Sequence, residues 1–93
     1  MRALARHAAA NGVLVEFLIV EKIGRGRKRH TPVGQCVRVK GGFRVYIEAG
    51  HETQTVFNTL VHEVAHALTW DRPDHGNAWA LAFGRCYRAT VRV

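Results

Sequence analysis

Cysteine is scarce in this chain. There are two in 93 residues, Cys36 and Cys86, fifty positions apart and with no CxxC pair. That excludes a zinc ribbon built from cysteine pairs. With no secretory signal in view, the two read as buried thiols rather than a disulfide. Long apolar runs are also lacking. The longest, Val13 to Val20, is interrupted by Glu16 and is far too short to span a bilayer, so no membrane role is expected and the expected location is cytoplasmic. Acidic residues are few: seven Asp and Glu stand against fourteen Lys and Arg, a formal net charge of +7. Such a balance points to polyanions as partners, with nucleic acid ahead of acidic proteins or membrane surfaces. No repeat or low-complexity segment is present. Residues 1–93 therefore read as a single domain at the small end of what folds alone, where a bound metal would add stability.

Periodicity orders what remains. Residues 2–10 are alanine-rich and stop at Asn11-Gly12, which predicts a short helix. Val13 to Ile23, rich in β-branched and aromatic residues, predicts a strand buried on both faces for part of its length. The stretch Gly24-Arg25-Gly26-Arg27-Lys28-Arg29-His30 is too charged to pack inside and predicts an exposed loop. Arg25, Arg27, Lys28 and Arg29 suit contacts to a phosphate backbone; a solvated hairpin loop explains them nearly as well, and the net charge favours the former. After Pro32, the segments around Val37 and Val39 and around Phe43, Val45 and Ile47 alternate like strands. Gly41-Gly42 between them predicts a two-residue hairpin. This reading gives the sheet one apolar face and one polar, mostly basic face carrying Arg38, Lys40, Arg44, Tyr46 and Glu48. Val56, Phe57, Leu60, Val61, Val64 and Leu68 recur at helical steps, with Thr53 or Thr55 as candidate caps. Pro73 ends that run, and His75-Gly76-Asn77 opens a last helix to about Ala89. Trp79, Ala82, Phe83, Cys86 and Tyr87 form its buried stripe.

The middle helix carries His62-Glu63-Val64-Ala65-His66, an HExxH motif. Positions i and i+4 lie on one helical face, so both imidazoles can reach one metal. Glu63 sits one step round the helix, where its carboxylate can act as a general base without occupying a coordination position. Catalytic zinc normally takes three protein ligands. His75 is the leading candidate for the third, because imidazole suits zinc; Asp71 and Asp74 are alternatives, with turn and capping roles as their plainer explanation. His7, His30 and His51 read as helix-surface or loop residues. Tyr46, Tyr87, Arg85 and Arg88 are candidates to stabilise an oxyanion, although packing or surface placement explains each of them better.

Residues 34–88 resemble the SprT-like metalloprotease core. The resemblance rests on Gly34-Gln35-Cys36, a hairpin ending Val45-Tyr46-Ile47-Glu48, the helix Thr59-Leu60-Val61-His62-Glu63-Val64-Ala65-His66-Ala67-Leu68, and His75-Gly76-Asn77-Ala78-Trp79. The HGxxW half gives it specificity, since HExxH is shared by many zinc proteases. The resemblance implies a Zn2+ held by His62, His66 and His75, with Glu63 as the catalytic base in peptide-bond hydrolysis. It is to the core alone, a minimal form without a zinc ribbon. The expected fold is a small α+β, zincin-like domain, a three-stranded antiparallel sheet packed on the HExxH helix with an N-terminal and a C-terminal helix. The expected partner is a protein or peptide substrate, including proteins associated with DNA. Two other readings stay open: a basic nucleic-acid-binding module with a structural, four-ligand zinc, and an inactive protein that keeps only the fold.

Overall fold

The chain forms α1 (Arg2–Ala10), β1 (Val15–Val20), β2 (Gly34–Val39), β3 (Gly42–Glu48), α2 (Thr53–Leu68) and α3 (Asn77–Val91) in the computed structural model, which describes residues 2–23, 33–72 and 75–91. The basic stretch from Gly24 to His30, with Arg25, Arg27, Lys28 and Arg29, lies outside the described residues, as do Pro32, Pro73 and Asp74. Alanine-rich α1 stops where expected. The amides of Asn11 and Gly12 donate to the carbonyls of Ala8 and Ala9 at 2.9 and 3.0 Å, and Gly12 takes φ +81°. That left-handed turn is cheap for glycine, which has no Cβ to clash.

The sheet is mixed, not antiparallel throughout as the sequence suggested. Its order is β1-β3-β2; β2 pairs antiparallel with β3, and β1 pairs parallel with it. The hairpin makes β2 and β3 antiparallel neighbours. With β3, whose Phe43, Val45 and Ile47 are all buried, at the centre, β2 takes the far edge and β3 runs with β1. Strand β1 is an edge strand and is not buried on both faces: Leu18 and Ile19 are 37% and 65% exposed.

The face assignment of β2 is also corrected. The two turn residues are Lys40 and Gly41, and Val39 pairs with Gly42. A two-residue turn fixes the parity of the pairing, and directly paired residues share a face. Cys36 therefore sits opposite Val45 and Arg38 opposite Phe43, on the side that faces the helices, while Val37 pairs with Arg44 on the outer side. The Arg38 guanidinium lies 5.8 Å from the centre of the Phe43 ring. The outer face is thus not mostly basic. It carries Val37, Val39, Leu18 and Tyr46, with Arg44 paired to Glu16 at 3.0 Å.

Helix α2 lies between the sheet and the other helices. Leu60, Val61 and Val64 join Val45 and Ile47 from the sheet, Leu4 and Ala8 from α1 and Cys86 from α3 in one core. The helix begins one residue after Glu52, which makes no side-chain capping bond, so neither Thr53 nor Thr55 is its cap. Helix α3 runs two residues past the expected Ala89. Ala82 and Cys86 are buried, but Tyr87 remains 39% exposed, edge-on to Phe57. Both cysteines are free thiols, Cys86 buried and Cys36 half-buried. Among the described residues, no helix is long and apolar enough to cross a membrane.

Candidate metal centre

Helix rotation is set by burial. Val61, Val64 and Ala65 are fully enclosed, which turns His62, Glu63 and His66 onto a half-buried flank. His75 comes from the turn just before α3. Its φ of +57° is left-handed, a conformation uncommon outside glycine although histidine is among the residues enriched there. The bend brings its ring back over α2. The Nε2 atom of His62 lies 3.0 Å from Nε2 of His66 and 3.4 Å from Nε2 of His75. The ligand atoms of all three histidines fall within 4.8 Å of one another.

These distances suit a metal ion. Nitrogens bound at about 2.0–2.1 Å to one tetrahedral ion stand about 3.3–3.4 Å apart. The three imidazoles could thus hold an ion through Nε2, and ligation through that atom lets a hydrogen bond at Nδ1 orient each ring. Among the described residues, this is the one group of three or more His, Cys, Asp or Glu side chains so arranged. Asp71 instead lines a neighbouring depression with Arg38, Phe43 and Trp70.

Beside the cluster is a cleft of about 350 Å3, lined by Cys36, Glu63, His66, Thr69, Trp70 and Arg72. Glu63 and His66 line the same space. Burial, and then the charge of Glu63, push the Cys36 thiol up to about 12. It is therefore neutral near pH 7 and a poor nucleophile.

Trp79 backs the cluster. Its ring centre is 5.1, 5.8 and 4.7 Å from those of His62, His66 and His75, and 5.2 Å from that of Phe83. Its indole Nε1 is buried and has no hydrogen-bond partner among the described residues. The sequence placed Trp79 in a buried stripe and, with His75, in the HGxxW motif, but predicted no contact between its ring and His62 or His66. The signal was its place in the first turn of α3, just after the bend that carries His75. Cys36 was missed for a different reason: the hairpin parity that puts it in the cleft was not applied to β2.

The remaining candidates lie elsewhere. His51 pairs with Glu48 at 2.8 Å. His7 and Arg85 line a separate cleft, and Tyr46 borders another with Lys22 and Gln35. Tyr87 packs on Phe57 and Phe83, and Arg88 is exposed near the end of α3. None of Tyr46, Tyr87, Arg85 and Arg88 lines the cleft beside Glu63. Comparisons with protein-family models, curated proteins and solved structures find no match.

Proposed function

We propose that the protein is a zinc-dependent metallopeptidase with a zincin-like, SprT-like core. The observation that carries this reading is the convergence of His62, His66 and His75 through their Nε2 atoms beside a cleft that also holds Glu63. His62, His66 and His75 would hold the zinc, which would supply Lewis acidity towards water and a peptide carbonyl. Glu63 accepts the proton of the attacking water and returns it to the leaving amine. Trp79 holds the imidazoles in place by contact with all three rings. Strand β2 is a sheet edge, and its Cys36 borders the cleft, so an extended peptide can pair along that edge with its carbonyl near Glu63. DNA-associated proteins are the proposed substrate class, on the formal charge of +7.

The test is Glu63→Gln, measured for both metal content and cleavage of an unfolded protein. The variant should retain zinc and lose cleavage by about 10²–10⁴-fold, the usual range for removal of a general acid–base. Equal cleavage by variant and parent in matched preparations would overturn the assignment.

A further inference from the structure

A second cleft, of about 370 Å3, shares Thr69 and Arg72 with the one beside Glu63. Three helical regions build it. His7 and Asn11 come from the end of α1, Thr69 and Arg72 from the turn after α2, and Leu81 and Arg85 from α3. The spacing of four within His7/Asn11 and Leu81/Arg85 turns each pair to the same side of its helix. No Asp or Glu stands in the wall, and among the described residues neither Arg72 nor Arg85 is paired with a carboxylate.

One structural reason for these cations can be weighed directly. Helices α1 and α2 both end here, and each C-terminus carries about −0.5 of an elementary charge. Two guanidiniums bring +2, so the helix ends account for about half of that charge, and among the groups in the wall about one positive charge remains even with His7 neutral; Asp71, next to Arg72, lines the adjoining depression instead. Some polar groups in the wall are already engaged. The Thr69 hydroxyl donates to the Ala65 carbonyl at 2.8 Å, and the Asn11 amide donates to the His7 carbonyl at 2.9 Å. The donors left to face a ligand are the Arg72 and Arg85 forks, the His7 ring and the second N–H of the Asn11 amide. They stand on three separate helical regions, an arrangement that can surround the tetrahedral oxygens of a phosphate more readily than it can match a planar carboxylate. Leu81, 60% exposed, offers an apolar wall for the carbon side of a phosphate ester.

We propose that this cleft is a phosphate-binding site, which takes the phosphate group of a phosphorylated small molecule or of a nucleic-acid backbone. The site does not depend on the metal or on the peptidase reading. The full-length, metal-loaded chain, labelled with ¹⁵N, is titrated with thymidine 5′-monophosphate, with a short single-stranded oligodeoxynucleotide, and with acetate at matched ionic strength. The phosphate ligands should shift the amides of His7, Asn11, Arg72 and Arg85, while acetate should not. Arg85→Gln should weaken binding about ten- to a hundredfold, the range for loss of a hydrogen bond to a charged group, with Arg85→Lys between it and the parent. An oligonucleotide that binds more tightly than the monophosphate, with a salt dependence flattened by Arg85→Gln, identifies a nucleic-acid backbone as the source. Equal affinities identify a small phosphorylated molecule. Shifts elsewhere, equal shifts with acetate, or unchanged affinity in a folded Arg85→Gln would overturn the proposal.

Discussion

The two clefts that share Thr69 and Arg72 are built in opposite ways. The one beside Glu63 is backed by packed groups: Trp79 lies against three imidazoles, and β2 comes so close to α2 that its Gly34 has no room for a side chain. The other is rimmed by Arg72 and Arg85, which are exposed and held by no ion pair among the described residues. The first holds its chemistry among packed rings, and the second presents charge on exposed side chains. Substitutions around the first should therefore cost stability and metal together, whereas those around the second should cost ligand alone.

The largest expected break in that contrast is Trp79→Ala. Removing an aromatic ring of this size typically costs about 3–5 kcal/mol, and here it also frees the histidine rings to tilt. Denaturant unfolding should show that loss, and metal affinity should fall with it. Trp79→Phe sharpens the point. It gives up part of the contact but removes a buried, unpartnered N–H that costs about 1–3 kcal/mol, so the stability change should be small. If Trp79→Ala unfolds at the parent's denaturant midpoint, the ring does not brace the cluster.

Gly34→Ala comes next. A Cβ there would run into the methyl group of Thr59, with the Ile47 side chain and the Tyr46 carbonyl also at 3.3 Å. Overpacking of this kind costs about 1–3 kcal/mol. Adding Thr59→Ser removes the methyl and should restore much of the loss. A double variant no more stable than Gly34→Ala alone would locate the strain elsewhere. Arg85→Ala, in the other cleft, should stay within about 0.5 kcal/mol of the parent, as exposed substitutions usually do.

The same contrast explains what could be read in the sequence. The first cleft's chemistry lies in two short segments, His62 to His66 and His75 to Trp79, because one helix and the next helix's first turn supply it. Helical periodicity marked the core positions Leu60, Val61 and Val64 for the same local reason. The sheet was less legible. Alternation alone assigned Val37 and Val39 to the core face, whereas the turn's parity puts Cys36 and Arg38 there. The parallel β1·β3 pairing depends on which strand takes the centre, and no local pattern encodes that. The second cleft was not legible at all, because His7, Arg72 and Arg85 are far apart in the chain and meet only when three helices pack.

His75 allows a finer test of how the first cleft is held. Its φ of +57° favours glycine over alanine. Both His75→Ala and His75→Gly remove a ligand and should lose metal alike. Between the two metal-free proteins, the glycine variant should be more stable by about 1 kcal/mol, because alanine must hold the left-handed turn with a Cβ. If alanine proves the more stable, the turn relaxes when the imidazole is gone, and the ring's contacts rather than the backbone set it.

The smallest expected effect lies at the other end of α2, away from both clefts. The Glu48 carboxylate accepts hydrogen bonds from the His51 ring at 2.8 Å and from the Ile23 amide at 3.1 Å. The His51 bond first, and then the Ile23 amide, hold its pKa below the usual carboxylate value. A carboxylate with a depressed folded-state pKa contributes stability that is fully present above its unfolded pKa, about 4.3, and that is lost as pH falls through the folded value. Glu48→Gln should therefore be less stable than the parent near neutral pH, with the gap in denaturant midpoint closing on acidification below the usual carboxylate range. Metal content and phosphate binding at neutral pH should not change. A gap of constant size through the acid range would mean that Glu48 acts by shape and not by charge. Loss of metal in the same variant would show that the two ends of α2 are coupled, and the metal cleft could then no longer be treated as held by its immediate neighbours alone.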